Sequence, residues 1–158
     1  MSCKVVIVGG VAGGASAATR LRRLDEEAEI IMLEKGEFIS FANCGLPYYI
    51  GDIIKDKGDL IVQTPENMRE RYNIDVRVNS EVTKIFPDKR MIEVHDIANN
   101  RVYTETYDKL ILSTGAGPVK PELPGIDSPR IFTLRNIPDT YKIKEFVDKT
   151  KPKRAIVI

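Results

Sequence analysis

The sequence predicts an α/β domain built on a parallel sheet, with a small antiparallel β-meander beside it. Three observations carry that expectation. Lys4 to Val8 is a β-branched apolar run bounded by glycines, the pattern of a strand buried on both faces. Gly13 to Leu24 then places alanines and leucines at helical spacing, and Glu29 to Leu33 is a second buried run, so the first forty residues form a β-α-β unit with a right-handed crossover. Residues 81–113 read instead as short strands separated by turns at Pro87-Asp88 and Asn99-Asn100.

The remaining elements follow from local chemistry. Ser40 to Gly51 is irregular, then helical in short pieces. Thr64-Pro65-Glu66 starts a helix that runs to about Tyr72, with Thr64 as N-cap and Pro65 in the first helical position. Ile74 to Val78 is a third strand. Alternation is clearest from Val102 to Tyr107, whereas Lys109 to Ser113 is expected to be buried on both faces. Pro118, Pro121, Pro124, Gly125 and Pro129 keep residues 115–130 out of helix. Pro138 to Lys149 is a last amphipathic helix, and Arg154 to Ile158 opens a new buried strand.

Composition excludes several classes. A chain of 158 residues fits about one domain. With 42% hydrophobic and 30% charged residues it is an ordinary soluble globular chain. A net charge of +1 without a basic run gives neither nucleic acid nor a membrane surface a footprint. No apolar run approaches the ~20 residues of a membrane span, and the N-terminus lacks a signal peptide. Two cysteines are too few for a disulfide scaffold, which points to the cytoplasm. One histidine, His95, is read as a surface residue and leaves nothing for a metal site or a Ser-His-Asp triad.

Gly9-Gly10-Val11-Ala12-Gly13-Gly14 follows the first strand and opens the first helix. As G-x-G-x-x-G it is imperfect, since Gly9 and Gly14 fit while Val11 holds the middle position. The chemistry asks for a tight turn, close backbone approach to a pyrophosphate and a helix N-terminus aimed at that charge. A tight turn without any ligand would explain the glycines alone. Glu34, 25 positions beyond Gly9 and at the end of the second strand, adds a carboxylate that accepts from a ribose and disfavours a 2′-phosphate. Strand, loop, helix, strand and acid in that order give a Rossmann-type dinucleotide site.

Ser40-Phe41-Ala42-Asn43-Cys44-Gly45-Leu46-Pro47-Tyr48-Tyr49-Ile50-Gly51 is the most unusual stretch. Cys44 precedes Gly45 where a short helix starts, and a thiol at a helix N-terminus drops from ~8.5 toward ~7. Such a thiolate attacks disulfides or reduces peroxides. A buried cysteine serving as a small hydrophobe fits the spacing equally well. No second cysteine lies near it, so a dithiol relay within the chain is excluded. Cys3 precedes the first strand and is expected to do no chemistry.

The Gly9–Gly14 loop, Glu34 and the Ser40–Gly51 block together resemble the single-cysteine branch of the FAD-dependent pyridine nucleotide-disulfide oxidoreductases. Within that branch they are most similar to the coenzyme A-disulfide reductase group, some of whose members carry a rhodanese domain. Tyr107 to Ala116 resembles the family's second flavin motif, in which a strand delivers a Thr-Gly turn to the cofactor. The resemblance implies an FAD-dependent NAD(P)H oxidoreductase acting on a sulfur group. FAD would be held by Gly9, Gly10, Val11, Ala12, Gly13, Gly14, Glu34, Lys35, Val82, Thr114 and Gly115.

Cys44 would be the redox nucleophile, Ser40 and Asn43 would flank the bound thiol, and Ser16, Arg20 and Arg23 would contact coenzyme A. Two arginines three apart share one helix face, and their forks suit phosphates. Where relatives carry a substrate-binding lysine this chain has Tyr72, with Arg71 beside it. The implied substrate is coenzyme A disulfide or a related persulfide or polysulfide, and the implied assembly is a homodimer. Residues 1–118 would be a flavin domain lacking its last segment, 119–153 a linker and connecting helix, and 154–158 the first strand of a truncated NAD(P)H domain. NADH oxidases and peroxidases are the runner-up, but they carry a histidine where Ala12 stands and lack the arginine pair. A nucleotide-binding piece without turnover is the alternative from another class.

Overall fold

The computed structural model describes residues 2–158. In chain order its elements are β1 (Lys4–Val8), α1 (Ala12–Leu24), β2 (Glu29–Leu33), α2 (Leu46–Ile50), α3 (Pro65–Tyr72), β3 (Asp75–Arg77), β4 (Ser80–Phe86), β5 (Met91–Asp96), β6 (Arg101–Thr106), β7 (Lys109–Leu112) and α4 (Ile137–Thr150). The chain divides into two units: the first holds the segment ending at Phe41 and Ile61–Gly115, the second Ala42–Leu60 and Ala116–Ile158.

The first unit is a parallel sheet in the order β3-β2-β1-β7 and an antiparallel meander β4-β5-β6. Side chains alternate across a strand, and this parallel sheet uses both faces. Val5, Ile7, Ile30 and Met32 pack with Ala15, Ala18 and Met68 on the helical side. Val6, Ile31 and Leu33 pack on the other side with Ile92 and Val94 of the meander. The continuous apolar runs of β1 and β2 follow from this double coverage.

The structure differs from the sequence reading in β7. Lys109 to Ser113 was expected to be buried on both faces, yet Leu110 and Ile111 are half-buried and Leu112 is 57% exposed. The reason is its place at the sheet edge, where among the described residues β7 pairs with β1 alone. The third strand is also shorter than expected, Asp75–Arg77. His95 is half-buried in β5, its Nε2 lying 3.3 Å from Asn100 Oδ1. Arg154 to Ile158 forms no strand, and its apolar side chains are exposed, since a strand needs a ladder partner.

In the second unit α2 packs with α4, and Tyr49 meets Tyr141 edge-on with ring centroids 6.0 Å apart. A capping box between Asn136 and Asp139 starts α4, and Lys144 bridges to Asp52 at 2.9 Å. No helix among the described residues is long and apolar enough to cross a membrane.

A charged network ties β1, β3 and β6 together. Glu105 receives Lys4 at 2.8 Å and Arg77 at 2.7 Å, while Arg77 also reaches Asp75 at 2.7 Å. Burial alone would raise the Glu105 carboxyl, but hydrogen bonds from Lys4 and Arg77 outweigh it and hold the pKa below the ordinary value. Its stabilisation is therefore complete above the unfolded carboxylate pKa of about 4.3 and is lost as pH falls through the lower folded value. Glu105→Gln should lower stability at pH 7 by about 1–2 kcal/mol and flatten the acid side of the stability curve. Urea unfolding at pH 7 and pH 3.5 measures both effects; an unchanged acid limb would exclude Glu105 as its source.

Candidate functional site

Sheet order reverses at β1, with β2 on one side and β7 on the other. Ligands of open α/β sheets bind in the crevice beyond the strand C-termini at such a point. Two glycines make that crevice. Gly9 has φ +100°, and a Cβ there would lie 2.2 Å from the Ser113 carbonyl oxygen. A Cβ on Gly14 would lie 1.7 Å from the Gly9 carbonyl oxygen. Only glycine lets the loop, the start of α1 and the β7 exit come this close. Val11, at the middle position of the imperfect motif, has φ −89° and ψ −115°, outside the left-handed region that favours glycine.

The rest of the crevice suits an anion and a ribose. Helix α1 begins with no side-chain cap and no acid in its first turn, so its first N–H groups are left for an anion. Glu34 accepts the Gly10 N–H at 2.7 Å on one oxygen and the Gly36 N–H at 2.8 Å on the other. An ionised carboxylate offers about four lone-pair sites, so it keeps capacity for ribose hydroxyls. Thr114 and Gly115 follow directly from the Ser113 contact, with Gly115 at φ +69°. Lys35 is exposed and pairs with Glu81 at 2.8 Å, and Val82 beside Glu81 is half-buried against the meander side of the core. The residues present therefore fit the adenosine diphosphate part of a dinucleotide such as FAD.

A cavity of about 330 Å³ lies along α1, lined by Val11, Ala12, Ala15, Ser16, Thr19, Ser40, Phe41, Val62, Gln63, Met68 and Tyr72. Ser40 is held at φ +42°, a strained value for a serine. Its N–H donates to the Gly10 carbonyl at 2.9 Å, and its carbonyl accepts from the Val62 and Gln63 N–H groups at 2.9 and 3.3 Å. These bonds over-determine the strained turn. Arg20 and Arg23 are exposed and have no hydrogen-bond or ion-pair partner among the described residues. Arg22 is different: it donates to the carbonyls of Tyr72 (2.8 Å), Ala28 (2.7 Å) and Asn73 (2.9 Å) and so ties α1 to α3. The Arg71 guanidinium lies 5.7 Å from the Tyr72 ring centre.

Asn43 and Cys44 belong to the second unit. They lie in a 3₁₀ turn, Asn43–Gly45, that runs into α2. Gly45 donates to the Ala42 carbonyl at 2.9 Å, and a Cβ on it would sit 3.2 Å from both Ile54 and Leu60. Leu46 and Tyr49 are buried. Cys44 itself is exposed, so it is not the buried hydrophobe that the sequence left open. Cys3 is half-buried and packs on the helical side of the core. No group of three or more His, Cys, Asp or Glu side chains is gathered as a metal ion needs among the described residues.

The family model described as pyridine nucleotide-disulphide oxidoreductase matches residues 3–158. A coenzyme A disulfide reductase of Staphylococcus haemolyticus is 43% identical over 98% of this chain and 34% of its own length. The crystal structure of reduced Bacillus anthracis CoADR-RHD superposes with a TM-score of 0.94 at 56% identity, covering 97% of this chain and 28% of that one. A NAD-dependent persulfide reductase from A. fulgidus gives 0.88 at 32% identity, over 93% and 27%. The water-forming NADH oxidase from Lactobacillus brevis gives 0.88 at 32%, over 94% and 33%. The chain thus spans about a third of the curated relative's length.

Sequence reasoning missed Arg22 as a clamp and Gln63 as a lining residue. Arg22 looks like its exposed neighbours because its partners Tyr72 and Asn73 stand fifty residues on. Gln63 gives a weak signal, its place directly before the Thr64 cap. The glycine geometry yields a direct check. Gly14→Ala should destabilise the fold by more than about 3 kcal/mol or prevent folding. Gly117→Ala, whose Cβ meets nothing within 4 Å, should stay within about 0.5 kcal/mol of wild type. Denaturant titration compares them, and wild-type stability in Gly14→Ala would contradict the close approach.

Proposed function

The chain belongs to the pyridine nucleotide-disulphide oxidoreductase family, and we propose that it is the flavin-binding portion of an enzyme that reduces coenzyme A disulfide with NAD(P)H. The observation that carries this reading is the exposed Cys44 thiol, presented on a turn whose neighbours Gly45 and Leu46 are buried. Such a sulfur is held in place and open to a large disulfide. Arg20 and Arg23, free of acidic partners on α1, supply two forks for the phosphates of coenzyme A. Ser16 and Ser40 line the groove that the same helix borders, and Asn43 stands next to the thiol.

In this reading the Cys44 thiolate attacks one sulfur of coenzyme A disulfide. The S–S bond breaks, one coenzyme A leaves as its thiolate, and the other stays on Cys44 as a mixed disulfide. FAD would be held by the Gly9–Gly14 loop, Glu34, Lys35, Val82, Thr114 and Gly115, and when bound would supply the electron pair, drawn from NAD(P)H, that breaks the mixed disulfide and releases the second coenzyme A thiol from Cys44. Overall, one disulfide, one NAD(P)H and one proton give two coenzyme A thiols and NAD(P)⁺. A coenzyme A persulfide would meet the same nucleophile. A cytoplasmic homodimer belongs to this reading of the whole enzyme.

An oxidase or peroxidase reading rests on the likeness to the NADH oxidase. Against it, the first turn of α1 carries Ala12, and the chain's single histidine is His95 in β5. Brief exposure to oxidised coenzyme A, followed by peptide mass, separates these readings. The disulfide reading predicts one coenzyme A on Cys44 and none on Cys3. Changing both Arg20 and Arg23 to alanine should slow the addition about tenfold while leaving a small uncharged disulfide unaffected. Equal labelling of Cys3 and Cys44, or a rate indifferent to the arginines, would overturn it; faster conversion of Cys44 to a sulfenic acid by peroxide would favour the oxidase class.

A further inference from the structure

Neither the glycine crevice nor the Cys44 turn uses Gln63. Its backbone N–H is committed to the Ser40 carbonyl at 3.3 Å. Its neighbour Thr64 is committed to capping α3, accepting the Asn67 N–H at 3.2 Å. Its side chain reaches the wall of the α1 groove, where Oε1 is closed off from solvent and accepts no hydrogen bond among the described residues. A buried acceptor without a donor is destabilising, and an apolar side chain of similar length would fill the same space without that penalty.

We infer that Gln63 determines specificity in this groove: its amide oxygen turns to accept a hydrogen bond from an amide N–H of a pantetheine arm. The inference rests on the coenzyme A reading above. Ala15, Val62, Met68 and Tyr72 give the groove apolar walls, which suit an uncharged chain. Ser16 and Thr19 also line it, and Arg20 and Arg23 stand four residues further along α1, one turn on and on the same face. The ligand that fits is extended, with phosphate at the arginine end and an N–H donor along its length. An amide-linked arm provides that donor, and a plain alkyl thiol does not. The volume of about 330 Å³ lies at the small end for ligand sites, as a narrow arm requires.

The unpaired acceptor makes the ligand-free and ligand-bound proteins respond in opposite directions to its removal. Gln63→Leu and Gln63→Met should raise the ligand-free melting temperature by about 2–6 °C. The same variants should bind coenzyme A about three- to tenfold more weakly. Binding of 3′-phospho-ADP, which keeps the phosphates and lacks the pantetheine arm, should not change. Calorimetric titration of wild type and both variants with these two probes, beside thermal unfolding, reads all of this. A lowered melting temperature in both variants would show a structural amide and overturn the inference. Unchanged affinity for coenzyme A, or equal loss for both probes, would overturn it as well. If wild type binds both probes and the variants match it, only the Gln63 inference falls. If wild type binds neither, the coenzyme A reading falls and takes the inference with it.

Discussion

The Gly9 carbonyl oxygen stands 1.7 Å from where a Cβ of residue 14 would be, and the Ser113 carbonyl oxygen stands 2.2 Å from where a Cβ of residue 9 would be. These two approaches bring the exit of β1, the start of α1 and the exit of β7 to one place. Without them the loop would need more room, and α1 would start elsewhere. Glu34 closes the arrangement through its bond to Gly10. The crevice is therefore a property of the backbone, with one side chain added.

Other parts of the first unit hold that backbone in place. The parallel sheet is covered on both faces, by α1 and α3 on one side and by the meander on the other. Arg22 fixes α1 to the C-terminal end of α3 through the Tyr72 and Asn73 carbonyls, and to the entry of β2 through the Ala28 carbonyl. Lys4, Arg77 and Glu105 join the parallel sheet to the meander. Arg20 and Arg23 are the cations that remain uncommitted on the same helix. One arginine is consumed by structure and two stay exposed, although all three fall within four residues.

Much of this was legible in the sequence because the signals are local. Lys4–Val8 and Glu29–Leu33 announce themselves as strands, since double burial demands continuous β-branched and apolar residues. Thr64-Pro65 marks the start of α3 through its own side-chain chemistry. Glycine spacing and Glu34 gave the crevice, and the Ser40–Gly51 block gave the thiol. Sequence could not show that β7 is an edge, because edge or centre is decided by strand order and not by Leu110 or Leu112. It could not separate Arg22 from Arg20 and Arg23, because two of the carbonyls that claim Arg22, those of Tyr72 and Asn73, come from far along the chain. Whether Cys44 was a small hydrophobe or a presented thiol was equally open until the burial of Gly45 and Leu46 put the sulfur outside.

The central claim is that the glycine crossing and Glu34 form a site for an adenine dinucleotide with a free ribose 2′-hydroxyl. Titration of the chain with FAD, followed by quenching of flavin fluorescence and competed with ADP or 2′-phospho-ADP-ribose, tests it most directly. The account predicts saturable quenching that ADP reverses, with the 2′-phosphorylated competitor at least about tenfold weaker because it meets the Glu34 carboxylate. Absence of saturable quenching, or equal competition by both compounds, would contradict it.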